Sequence, residues 1–245
     1  MLPTVLAGHL QETVICNRYT TPRAIEIERA WHVGRQAPNR WWDEAVFPGG
    51  TGVFIRRHRD DPGYSRELVA GQWGLIPFYA KEPRQRYAMN NARSEELANK
   101  VSFRDVWKRG QRCIIPASSF DEPYWGPYDQ PFSRCQWWRF TSADGQPWGL
   151  AGIWAQWEDR ASGQLYESYS MLTINADGHE LMGKMHKNVL DPSTKKPLPL
   201  EQQDKRSVIP IAQDDVDQWL AGTLSEATQL LRVAPAAVFS AGPAS

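Results

Sequence analysis

Apolar residues in this chain fall in short runs bounded by Gly, Pro, Asn and Asp, a pattern that predicts many brief strands and few, short helices. Val53-Phe54-Ile55 and the run 65–74 flank Asp60-Asp61-Pro62-Gly63 and are expected to form a hairpin. Residues 110–116 are expected as a buried strand closed by Pro116, with Cys113, next to Ile114 and Ile115, in the core. Residues 137–141, 149–157 and 166–175 are expected as a three-strand meander turning at Ala143-Asp144-Gly145-Gln146 and Gly163. Residues 208–211 resume the sheet, and a last strand lies within 234–245.

Helical spacing is confined to short stretches. Residues 22–31 carry Ala24, Ile25, Ile27 and Ala30 on a face, with Thr21 as cap and Pro22 in the first position. A Ser94 cap predicts a helix to residue 99, and further helices are expected at 103–109, 214–220 and 225–231. Residues 36–40 are expected as a loop, and residues 1–15 have no strong period and form an N-terminal extension ahead of a single domain over 16–245. The predicted fold class is α+β, with a largely antiparallel, barrel-like sheet core and short peripheral helices.

Lys plus Arg and Asp plus Glu each number 28, so the chain is not a globally basic nucleic-acid binder. The balance is uneven: residues 56–112 hold 13 Lys/Arg against 7 Asp/Glu, a local sign that suits an anion. Three cysteines form no Cys-x-x-Cys pair and no zinc spacing with the five histidines, so no metal or cofactor is expected and a reduced, cytoplasmic setting fits. No run reaches the roughly 20 apolar residues of a membrane-spanning helix. The 12 tryptophans are unusual for this length; most are expected in the core, but an excess of flat rings also suits a surface on which bases stack.

Candidate chemistry centres on Ile15-Cys16-Asn17-Arg18-Tyr19, where a thiol lies two residues from a guanidinium that would favour its thiolate. Four ordered segments, Cys16-Asn17-Arg18-Tyr19, Asn91-Ala92-Arg93, 116–122 (Pro-Ala-Ser-Ser-Phe-Asp-Glu) and Met185-His186-Lys187, resemble the SRAP family, the SOS response-associated peptidase proteins. Trp73-Gly74-Leu75-Ile76-Pro77 and Ala143-Asp144-Gly145-Gln146-Pro147 fit the same pattern, which runs from about Cys16 to Ile211.

The resemblance implies a DNA repair protein that binds single-stranded DNA and crosslinks to abasic sites. It assigns Cys16 as nucleophile, Asn91 as the amide that holds it, and Glu122 and His186 as acid/base groups. Arg18 and Arg93 are implied as phosphate contacts and Tyr79 as a stacking ring; Trp73 and Lys187 complete the expected DNA-binding set. The expected partner is single-stranded DNA containing abasic sites, met by a monomer away from any membrane.

The chemistry itself asks for such residues. An abasic site opens to an aldehyde, an imidazole moves the sugar proton at neutral pH, and an N-terminal cysteine closes a thiazolidine through imine and thiol. Here 15 residues precede Cys16, and a peptide nitrogen is no nucleophile. A start nearer Cys16, self-cleavage before Cys16 and a thiol-only adduct therefore remain open. A thiol peptidase and a non-covalent single-strand binder are the competing functions. Two departures from the family pattern are Ala45-Val46-Phe47-Pro48, where a polar Asn-x-Ala-Pro turn is the norm, and an insertion over 188–205 after His186.

Overall fold

The computed structural model describes residues 16–33, 42–58, 61, 65–85, 87 and 89–244. The N-terminal extension, the loop at 36–40 and most of the turn expected at 60–63 lie outside the described residues. Among the described residues twelve strands and four α-helices follow in chain order: β1 (Arg18–Thr20), α1 (Ala24–Trp31), β2 (Ala45–Val46), β3 (Thr51–Arg57), β4 (Arg66–Trp73), β5 (Asn91–Arg93) and α2 (Val101–Lys108). Then come β6 (Arg112–Ala117), β7 (Ser119–Tyr124), β8 (Gln136–Ser142), β9 (Trp148–Glu158), β10 (Leu165–Asn175), β11 (Arg206–Val208), α3 (Val216–Ala221), α4 (Leu224–Gln229) and β12 (Phe239–Pro243).

Five strands close a ring in the order β10-β4-β3-β6-β9, and β9 pairs back to β10. This is the barrel. All of its pairings are antiparallel except β10 with β4, and β5 also joins β10 in parallel. A second sheet, β12-β8-β7-β1-β2, is antiparallel throughout.

Barrel strands are apolar on both faces because both are covered, and side chains alternate between them. Val53, Ile55, Ile114, Ala151 and Ile153 face an outer core with Trp31, Phe103, Trp107 and Trp219 from the helices. Phe54, Cys113, Ile115, Leu150, Tyr169 and Met171 face an inner core that continues through Tyr19 and Phe120 to Cys16. At Gly52 of β3 the packing leaves no room for a side chain: a Cβ would collide with the hydroxyls of Tyr169 and Tyr19.

Several local expectations are corrected. The strands at 137–141 and 149–157 do not pair: β8 belongs to the second sheet and β9 to the barrel, so of the three expected meander strands β9 and β10 alone form a hairpin. The first helix begins at Ala24. Arg23 is its N-cap, with its N–H donating to Glu26 Oε2 at 2.9 Å, while the Thr21 hydroxyl donates to the Asp43 carbonyl at 3.2 Å. Residues 94–96 form one 3-10 turn with no side-chain cap from Ser94. Among the described residues no helix is long and apolar enough to cross a membrane.

Candidate active site

Strand β7 is the frame of the site. Its register sets Arg18 opposite Asp121 and Tyr19 opposite Phe120, so the residues just before β1 run alongside Glu122. On its other end Tyr124 bridges Met185, and the His186 N–H donates to the Pro123 carbonyl at 2.7 Å. One strand thus brings positions 16 and 186 to the same carboxylate.

Glu122 Oε2 accepts from the Cys16 backbone N–H at 3.1 Å and bonds His186 Nε2 at 2.9 Å. Asn91, the first residue of β5, donates through Nδ2 to the Cys16 carbonyl at 3.2 Å. Cys16, Glu122 and His186 are buried, so their interactions act in a medium far less polarisable than water. Glu122 Oε1 and His186 Nδ1 are buried too, with no protein partner among the described residues. Buried polar atoms without partners are uncommon, and here two of them belong to the Glu–His pair on which the Cys16 nitrogen is seated.

The thiol is not activated by Arg18. Burial pushes the Cys16 thiol well above its ordinary value, and the Glu122 carboxylate adds to the rise. The Arg18 charge is spent elsewhere: its Nη1 lies 3.3 Å from Asp121, which is also gripped by Arg139 at 3.0 and 3.2 Å. Arg18, Asp121 and Arg139 stand opposite one another across β1, β7 and β8. Arg18 remains partly exposed beside the Phe47 ring, on the face of β7 away from Glu122.

The other expected contacts divide. Trp73 is fully buried, its ring edge-on to Tyr19 and its Nε1–H donating to the Asn90 carbonyl at 2.9 Å. It does not present a ring for a base to stack on; it braces the segment that leads into Asn91. Tyr79 is exposed beside Phe78 on the loop after β4, with its hydroxyl 2.6 Å from Ser102. Arg93 is half-exposed and pairs with Asp204 at 2.6 Å and Glu96 at 3.5 Å. Lys187 is exposed, 5.3 Å from the Trp125 ring centroid.

Sequence reasoning missed Lys205. His186 adopts a left-handed backbone, φ 63°, unusual for a residue with a Cβ. The buried Lys205 ammonium holds that turn by donating to the carbonyls of His186 at 2.8 Å and Met185 at 2.9 Å, and to Asn188 Oδ1 at 3.1 Å. Nothing in a lysine at the end of the 188–205 insertion signals this. Asp121 was also missed, although an acid next to Glu122 on a strand must face the opposite way.

Fold and site together define a β-barrel protein whose cysteine is seated on a Glu–His pair. The chain belongs to the SOS response associated peptidase (SRAP) family, whose sequence model matches residues 15–245. It is 30% identical over 177 residues to the abasic site processing protein YobE of Bacillus subtilis, covering 69% of this chain and 77% of that protein. Abasic site processing protein HMCES of Xenopus tropicalis is 26% identical over 150 residues, 52% of this chain and 42% of that protein. A protein of known structure from Bordetella bronchiseptica superposes with a TM-score of 0.76 at 30% identity, covering 94% of this chain and all of that one.

Proposed function

We propose that this protein captures abasic sites in single-stranded DNA as a covalent adduct of Cys16. The observation that carries the reading is the single carboxylate oxygen, Glu122 Oε2, shared between the Cys16 nitrogen and His186 Nε2. That geometry serves the nitrogen of Cys16 first and its sulfur second.

With the amine free, Glu122 takes a proton from it and the nitrogen attacks C1 of the ring-opened sugar. Loss of water gives an imine. The thiol then adds to the same carbon: the S–C1 bond forms, the imine π pair moves to nitrogen, and the sulfur's proton passes to that nitrogen through Glu122. One water is released and a thiazolidine results. A thiol held neutral by burial fits this order, because the step that precedes it needs only the amine. His186 moves the sugar oxygen's proton as the ring opens. Asn91 holds the Cys16 carbonyl while the nitrogen changes its bonding.

In the full chain the Cys16 nitrogen is a peptide nitrogen, so a free amine must arise by hydrolysis between Ile15 and Cys16 or by synthesis from a nearer start. Arg18, Lys187 and the exposed Phe78–Tyr79 rings support binding of a single strand through phosphates and stacked bases. The test is denaturing electrophoresis of protein mixed with abasic and intact strands. A denaturant-stable band with the abasic strand alone, lost in Cys16→Ala, is expected. A band that persists in Cys16→Ala overturns the assignment.

A further inference from the structure

The basic stretch at 56–112 is not consumed by the Cys16 site. Much of it is neutralised within the fold: Arg56 pairs with Glu67 and Glu167, Arg66 with Asp217, Arg93 with Asp204, and Arg104 with Asp105. Lys108, Arg109 and Arg112 converge on a cavity of about 440 Å³ where the end of β3 meets the C-terminal ends of α2 and α3. Arg57, His58, Lys108, Arg109 and Arg112 line it, with Asp61 the one acid among its described lining residues.

Arg112 is the informative residue. It is only 4% exposed, yet no carboxylate pairs with it among the described residues. Its Nε and Nη2 donate to the carbonyls of Trp219 and Gly222, and the Trp107 and Trp219 rings flank it at about 6 Å. Carbonyls satisfy two N–H directions but carry no net charge, so a full positive charge stays in a poorly solvated place, which is costly. Burial accordingly lowers its pKa, with no carboxylate to oppose the shift. Nη1 has no acceptor among the described residues and lies against Gly110, whose missing side chain leaves it uncovered: a Cβ there would sit 3.4 Å away.

We propose that this cavity is a second, non-catalytic binding site for a phosphate group, with Arg112 at its floor and Lys108 and Arg109 at its rim. A tetrahedral oxyanion accepts from Nη1 and from the rim cations, and supplies the charge that the protein does not. The phosphate comes either from the backbone of a strand extending beyond the Cys16 site or from a free phosphate compound.

Lys108 and Arg109 are exposed, so Lys108→Gln/Arg109→Gln tests the site without touching the core. An Arg29→Gln/Arg160→Gln protein carries the same change in net charge at exposed positions outside the cavity. Titration calorimetry with inorganic phosphate at fixed ionic strength reads the first arm. The second reads the affinity of an intact 10-nucleotide and an intact 40-nucleotide strand against salt. For a free phosphate compound, the rim variant weakens phosphate binding at least fivefold while the control and both strands are unaffected. For a backbone phosphate, it weakens the long strand alone and flattens its log–log salt slope by about 1.4, two contacts at about 0.7 each. The proposal is overturned if neither ligand distinguishes the rim variant from wild type, or if the control pair loses as much. The phosphate arm requires no abasic-site chemistry, so the site can fail while the Cys16 reading stands, and the reverse.

Discussion

At the scale of single residues, Glu122 is asked to do most. Its one oxygen receives both the Cys16 N–H and His186, so Glu122→Gln keeps the shape and removes the base. The adduct-forming rate should fall about 10²- to 10⁴-fold, the usual worth of a positioned acid/base group, with little change in strand affinity. Stopped-time gels at saturating abasic strand check this; an unchanged rate would remove Glu122 from the chemistry. Asn91→Ala deletes one bond to the Cys16 carbonyl, and a loss of about tenfold, about 1.4 kcal/mol, is expected in the same assay. These residues lie 64 to 106 positions from the partners they meet, and only the ordered motifs linked them beforehand. What the motifs did not disclose was charge pairing: an arginine two residues from a thiol looks like its activator until Asp121, opposite it on the next strand, proves to hold it.

At the scale of elements, the barrel and the turn at His186 make separate predictions. Gly52→Ala in β3 forces a methyl against the bonded hydroxyls of Tyr19 and Tyr169, and should cost about 1–3 kcal/mol in urea unfolding. Because Tyr19 belongs to β1, the same change should slow adduct formation. In the His186 turn, Lys205→Met strands the carbonyls of Met185 and His186, at about 1–3 kcal/mol for each buried acceptor left unpaired. The pH sign follows from burial, which lowers the Lys205 ammonium from 10.5 to about 8. Between those values the unfolded chain binds a proton that the folded chain does not, so folding stability rises with pH across that window. Unfolding free energies at pH 7 and pH 10 should show the wild-type advantage over Lys205→Met growing; a shrinking difference would contradict the assignment. Element type was readable because apolar runs, turns and prolines are local signals. The partition of β8 and β9 between two sheets was not, since a short turn at 143–146 looks the same whether the chain doubles back or crosses to another sheet.

At the scale of the whole molecule, fold class followed from many short apolar runs among short helices, but barrel closure depends on the long-range pairing of β10 with β4 and of β9 with β6. The tryptophans show the same division. Composition suggested a mostly interior set with some rings left at the surface: Trp31, Trp73 and Trp219 are wholly interior, while Trp137, Phe78 and Tyr79 are exposed. The central claim concerns Cys16 and its nitrogen, and intact mass spectrometry tests it most directly. Protein made from Met1 and protein beginning at Cys16 are each incubated with an abasic single strand. The account predicts that protein with a free Cys16 amine gains the mass of the strand less one water, and that any full-length chain forming this adduct has first lost residues 1–15. An adduct of that mass on a chain that still carries residues 1–15, or on Cys16→Ala, would contradict it.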